Sequence, residues 1–201
     1  MALKKIGLLG GSFDPIHLAH IALAEAACQA LRLDQLQLIP AADPWQRAPL
    51  QATPQQRLAL VELAIAGHPR LCVNPAEIER GGKTYTIDTL RQLPAGADYY
   101  WILGADQLSN FCSWHEWEEI ARLVYLVVAQ RPGTSVSVPP ELARHLDTLG
   151  RRIVELPFEP MPISASDVRR RLAAGLPVRE LLDVAVAHYI QRHKLYHPPL
   201  S

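Results

Sequence analysis

Two short segments have residue types and spacings suited to holding phosphate. The first is GGSFDPIHLAH, Gly10 to His20. An apolar run, Lys5 to Leu9, precedes it, and a helically spaced stretch follows it. A glycine-rich loop between strand and helix lets backbone N–H groups meet an anion at the positive end of the helix. Gly10, Gly11, Ser12 and Phe13 form that loop. His17 and His20 are three apart, so a helix carries both on one face and adds two imidazoles to the cradle. The segment is neither GxGxxG nor the P-loop GxxxxGK[ST]. Its bland reading is a tight turn with incidental histidines. A zinc reading lacks the glutamate of HExxH and a third ligand at a convincing spacing.

The second segment is Ile163-Ser164-Ala165-Ser166-Asp167-Val168-Arg169. Ser164 and Ser166 offer hydroxyls where a helix should start, and Arg169 adds a cation one turn on. Alone, it also reads as a serine cap before a solvated arginine run, Arg169 to Arg171. The sequence offers no evident catalytic triad. The chemistry these residues suit is transfer of a phosphorylated group by positioning and charge stabilisation.

Positioning needs a scaffold, and the apolar pattern supplies one. Short apolar runs at Lys5–Leu9, Leu36–Ile39, Tyr99–Leu103, Leu123–Ala129 and Arg152–Leu156 read as strands, and Leu71–Ile78 reads as extended. Helical spacing covers His17–Leu31, and Thr53-Pro54-Gln55-Gln56 is a capping box opening a helix that Gly67 ends. Thr86–Leu93, a segment to Arg122 capped by Ser113-Trp114-His115-Glu116, Ser164–Ala174 and Val178–Gln191 are predicted helices. Arg131–Pro140, rich in Pro, Ser and Thr, is predicted to be a loop, and the tail His197–Ser201 to fray. Strands alternate with helices. This predicts an α/β, Rossmann-like, doubly wound parallel sheet with helices on both faces and a C-terminal helical segment. With no internal repeat and no dividing linker, residues 1–201 read as one domain.

Composition narrows the setting. Lys plus Arg and Asp plus Glu both number 20, so formal charge is zero, which argues against nucleic acid or an acidic membrane as partner. The three cysteines lack metal-ligand spacing and read as reduced thiols. No apolar stretch approaches the roughly 20 residues of a membrane span, and the N-terminal run is too short for a signal peptide. The expected location is cytoplasmic. Homo-oligomer formation is left open.

Taken together, the two segments resemble the signatures of the HxGH nucleotidylyltransferase superfamily, G-[ST]-F-D-P-x-H-x-G-H and I-S-[SA]-[ST]-x-[IV]-R. Ala19 stands where that superfamily usually has Gly. Two further stretches, Lys83-Thr84-Tyr85-Thr86-Ile87-Asp88-Thr89-Leu90 and Gly104-Ala105-Asp106 followed by Trp114, resemble the nicotinate-nucleotide adenylyltransferase family. The likeness runs through Tyr189-Ile190 and Leu195-Tyr196. It departs at Trp45-Gln46-Arg47, where the family often has Pro-His-Lys.

The resemblance implies adenylyl transfer from ATP to nicotinate mononucleotide, with Mg²⁺ accompanying ATP and no resident metal site. It implies that His17, His20 and Arg169 are catalytic. ATP would meet Gly10, Gly11, Ser12, Phe13, His20, Gly104, Asp106, Ser164, Ser166 and Arg169. The mononucleotide would meet Arg47, Tyr85, Thr86 and Trp114; an aromatic face suits a pyridine ring. Alternatives are an adenylyltransferase acting on nicotinamide mononucleotide, another HxGH-type enzyme, and a non-catalytic module sensing ATP or NAD.

Overall fold

The computed structural model describes residues 3–44 and 49–197. Six parallel strands form one sheet: β1 (Lys4–Gly11), β2 (Gln35–Pro40), β3 (Leu71–Val73), β4 (Ala97–Gly104), β5 (Tyr125–Gln130) and β6 (Val154–Pro157). Their spatial order is β3-β2-β1-β4-β5-β6. The chain therefore winds outward in one direction from β1 and then restarts at β4. That reversal leaves a crevice beyond the carboxyl ends of β1 and β4, where ligands of open α/β sheets bind.

Helices cover both faces because the strands are apolar on both. Alternate residues point to opposite sides. In β4, Trp101 and Leu103 join one core cluster and Ile102 the other; in β5, Leu126 and Val128 separate in the same way from Val127. One face packs against α1 (Leu18–Ala30), α2 (Pro54–Ile65), α8 (Ala165–Ala173) and α9 (Val184–Arg192). The other packs against α4 (Thr86–Leu90), α5 (Ala105–Ser109), a 3₁₀ turn (Phe111–Ser113), α6 (Trp117–Leu123) and α7 (Pro140–Thr148). A short α3 (Ala76–Arg80) follows β3. No helix among the described residues is long and apolar enough to cross a membrane.

Several boundaries differ from the expected ones for local physical reasons. The extended reading of Leu71–Ile78 stops at Val73, because the Asn74 side chain accepts the Ala76 N–H and turns the chain into α3. The Ser113–Glu116 box does not cap α6. Ser113 closes the 3₁₀ turn, and Glu116 is the residue that precedes α6, at φ 52°. Pro140 starts α7 rather than ending a loop, since proline fits the first helical turn. Residues 178–183 precede α9 as turns, with Asp183 accepting the Ala185 N–H. The Thr53–Gln56 box forms as read: Thr53 Oγ1 accepts the Gln56 N–H, and Gln56 Oε1 accepts the Thr53 N–H.

The glycine pair closing β1 is demanded by packing as well as by any ligand. A Cβ on Gly10 would lie 2.9 Å from the Trp101 ring, and one on Gly11 2.9 Å from the Phe13 ring. Phe13 itself sits at φ 47° with its ring buried, a conformation that side chains seldom adopt. Gly10→Ala is expected to lower stability by about 1–3 kcal/mol through overpacking. It should reduce the urea midpoint without changing the slope; an unchanged midpoint would show that Trp101 yields freely.

Candidate functional site

A cavity of about 670 Å³ opens at the carboxyl ends of β1 and β4. That volume lies in the usual range for small-molecule sites. Its lining draws Gly10, Gly11 and Ser12 from β1 and the loop after it, Asp106 from α5, and Ser164, Ser166 and Arg169 from the start of α8. Tyr85, Thr86 and Trp114 line the same cavity. Phe13, His17, His20 and Gly104 are not among the lining residues. Arg47 lies outside the described residues.

The first segment is held from beneath. Asp14 is 2 % exposed, yet its carboxylate is fully engaged. Oδ2 accepts the Gln51 N–H at 2.9 Å, and Oδ1 accepts the Ala52 N–H at 3.1 Å and the Tyr196 hydroxyl at 2.8 Å. Arg57, wholly buried in α2, donates from Nη1 to the Ser12 carbonyl (2.8 Å) and from Nη2 to the Ala42 carbonyl (2.9 Å). Burial pulls the Arg57 guanidinium below its ordinary range, and the Asp14 charge opposes that pull. The sequence reading named neither Asp14 nor Arg57 as functional. Arg57 shares a helical face with Leu60, Val61 and Ala64, and a charge at that apolar spacing is its signal.

The histidines do not share a helical face. His17 precedes α1 in an extended conformation, and its backbone N–H donates to Nδ1 of His20 at 3.2 Å. The rings stack 3.7 Å apart. Because His20 Nδ1 accepts, the neutral His20 ring carries its proton on Nε2. The edge of Phe13 meets the same ring at a centroid distance of 5.1 Å. Burial drives the His17 pKa down to about 4, so this ring is neutral at pH 7. Its Nδ1 is a buried polar atom without a hydrogen-bond partner among the described residues, the kind of group that a bound ligand or water satisfies.

The second segment does two things at once. Ser164 caps α8 by accepting the Asp167 N–H, as its bland reading expects. Arg169 is not a solvated charge. Its Nη1 donates to the Asp14 carbonyl at 2.6 Å and its Nη2 to Ser166 Oγ at 3.2 Å. The two anion segments are thus joined directly, one residue to the other.

The other wall is built on short helices tied by polar contacts. Thr84 Oγ1 accepts the N–H groups of Ala42 and Asp43, each at 3.2 Å. Tyr85 packs against His115 with ring centroids 4.9 Å apart. Trp114 meets Phe111 at 5.3 Å and stands edge-on to Trp101 at 6.4 Å. Glu77, 4 % exposed, also lines the cavity. Its Oε1 accepts the Thr89 hydroxyl at 2.8 Å, and Arg80 Nη2 donates to Thr89 Oγ1 at 3.1 Å. Burial raises the Glu77 pKa to about 7 despite the Thr89 bond and Arg80, with Asp88 adding to the rise. Thr84, Glu77 and His115 join the lining without having been read as site residues. Among the described residues, no three His, Cys, Asp or Glu side chains converge as metal ligands.

Known proteins resemble this chain in sequence and in fold. Residues 8–171 match the profile of the cytidylyltransferase-like family. A Bordetella petrii protein named "Probable nicotinate-nucleotide adenylyltransferase" is 61 % identical over 96 % of this chain and all of its own length. The chain belongs to the nicotinate-nucleotide adenylyltransferase family. A Methylibium petroleiphilum protein of the same name is 41 % identical over 98 % of this chain and 94 % of its own. Among solved structures, the Plasmodium falciparum nicotinic acid mononucleotide adenylyltransferase complexed with NaAD shares the fold, with a TM-score of 0.74 at 17 % identity. That match covers 96 % of this chain and 97 % of the other.

Glu77 makes the stability of this wall depend on pH. Between the ordinary carboxyl value of 4.5 and about 7, the folded protein holds a proton on Glu77 that the unfolded chain releases. Stability from this group therefore falls as pH rises through that window. Buried His17 acts in the opposite sense, losing stability as pH falls below its ordinary value of 6.5, so only a difference measurement isolates Glu77. The stability of Glu77→Gln minus that of the parent should grow by roughly 3 kcal/mol between pH 4.5 and 8. A difference that stays flat in denaturant titrations would show that Glu77 is ionised throughout.

Proposed function

We propose that this family member transfers the adenylyl group of ATP to nicotinate mononucleotide, giving nicotinate adenine dinucleotide and pyrophosphate. One observation supports the reading above others. Gly10–Ser12 and Ser164–Arg169 meet in a single cavity, and Tyr85, Thr86 and Trp114 complete it. Two anion-holding segments suit a triphosphate, and the aromatic wall suits a pyridine ring.

The reaction needs no protein nucleophile. A phosphate oxygen of the mononucleotide, already anionic, attacks the α-phosphorus of ATP in line. A new P–O bond forms, the bond from the α-phosphorus to the α,β-bridging oxygen breaks, and pyrophosphate leaves with the electron pair. The protein has to align the two phosphates and balance the charge that moves to the leaving group. In this reading Arg169 and the Ser166 hydroxyl meet the triphosphate. His20 donates through Nε2–H, and His17 offers a neutral ring whose unpartnered Nδ1 gains a partner on binding. An approaching phosphate also raises the His17 pKa, which favours a second donor as negative charge accumulates.

Magnesium fits as part of the substrate. With no cluster of three ligands among the described residues, the ion would be held chiefly by ATP oxygens and water, as a small hard cation prefers. Asp106 is the lining carboxylate available to it. Bound there, Mg²⁺ neutralises phosphate charge.

The test is pyrophosphate release on mixing protein, Mg²⁺ and ATP with each mononucleotide in turn. Release with nicotinate mononucleotide well above that with the nicotinamide form is expected. Equal rates would remove the acceptor assignment, and tight ATP binding without release would make the protein a sensor. His20→Ala should lower kcat on the order of 10²- to 10³-fold with an unchanged circular dichroism spectrum. Trp114→Ala should act mainly on the mononucleotide, raising its KM by roughly tenfold through lost stacking; a selective rise in the KM for ATP would reverse the two walls.

A further inference from the structure

The sequence resemblance extended to Leu195-Tyr196, yet nothing in the reaction above uses that segment. Tyr196 follows α9 and is remote in sequence from the cavity. The backbone goes to some trouble to return it. Lys194 and Tyr196 both adopt left-handed conformations, at φ 52° and 62°, which non-glycine residues take up at a cost. The result is a ring buried in the core beside α9, 7 % exposed, with its hydroxyl on Asp14 Oδ1 at 2.8 Å.

Asp14 is where that contact gains consequence. Its carboxylate receives the Gln51 and Ala52 N–H groups, and Gln51 lines the cavity. Its carbonyl receives Arg169. A rotation of Asp14 therefore disturbs two separate stretches of the cavity wall together. We propose that Tyr196 is a positioning residue for adenylyl transfer: its buried hydroxyl fixes Asp14, and through Asp14 both Arg169 and the Gln51–Ala52 segment. The inference rests on the adenylyl-transfer reading above.

The phenol suits this role better than an apolar ring would. Burial, and the adjacent Asp14 carboxylate, push its ionisation far above the ordinary tyrosine value, so it stays a donor at every pH the fold survives. The two amides on the carboxylate come from one segment, and the Tyr196 hydroxyl adds a third donor from a separate element, so the group is held from two sides.

Tyr196→Phe removes the hydroxyl and keeps the ring. Kinetics should be measured well below the melting temperature, beside Ile190→Val, a core change in α9 that touches neither Asp14 nor the cavity. Tyr196→Phe is expected to lower kcat/KM for both ATP and nicotinate mononucleotide by roughly 3- to 10-fold, the scale of one hydrogen bond's net contribution. Amide exchange at Gln51 and Ala52 should quicken several-fold, a readout independent of turnover. Ile190→Val should lose stability with parental constants. If Tyr196→Phe loses only stability, with both specificity constants and both amides unchanged, the inference is overturned while the adenylyl-transfer reading stands. A parent protein that releases no pyrophosphate would overturn that reading, and Tyr196 would then have no transfer reaction to position.

Discussion

Burying the Asp14 carboxylate obliges the chain to bring hydrogen-bond donors to it. An unpaired charge inside a protein is too costly to keep. Three donors arrive, from Gln51, Ala52 and Tyr196, and Arg169 takes the carbonyl of the same residue. These partners come from the loop before α2, the turn after α9 and the first turns of α8. Neither of the first two could be displaced without uncovering the carboxylate. The loop after β1 is thereby fixed by electrostatics where its glycines alone would leave it free. Arg57 completes the arrangement by holding the carbonyls of Ser12 and Ala42, so the backbone after β1 and the backbone after β2 are tied to one buried cation.

This has a bearing on catalysis. Electrostatic stabilisation of a transition state is worth most when the donors are already in place and need not reorganise. Arg169 has both terminal nitrogens engaged within the protein, on Asp14 and Ser166. Its guanidinium is therefore oriented before any phosphate arrives, at little further entropic cost. His17 follows the same logic by a different route. Its ring is held neutral by burial and stacked on His20, so its place and its charge state are both set by the fold.

Much of this was legible in the residues, and the illegible parts have a common cause. The loop from Gly10 to His20, the Thr53–Gln56 capping box and the Ser164 cap are local devices, each complete within a few residues. The two core faces follow from strand alternation. What failed to show was either too short or too distant. α3 and α5 have five residues each, too few for a helical period to declare itself. The box at Ser113 carried the right residue types, but the 3₁₀ turn absorbed Ser113 and the left-handed Glu116 moved the start of α6. The contact between Asp14 and Tyr196 spans almost the whole chain, and no local pattern encodes it. The glycines were read correctly as special and for only part of the reason, since Trp101 and Phe13 fill the space that side chains would need.

The two walls of the cavity also differ in kind. The wall formed by Gly10–Ser12 and Ser164–Arg169 rests on α1 and α8, both docked on the sheet through apolar faces. The opposing elements α3 and α4 are single turns, which in isolation would not form, because helix nucleation is unfavourable until several bonds follow it. Beside the buried Ile87 and Leu90 of α4, polar contacts hold them: Thr89 between Glu77 and Arg80, and Thr84 on the amides after β2. Holding a wall this way requires burying Glu77, and burial is what pushes its carboxyl toward neutrality. A neutral Glu77 leaves this wall without an added negative charge. The device that stiffens short helices thus also tunes the field of the cavity they line, and a single buried carboxyl serves both ends.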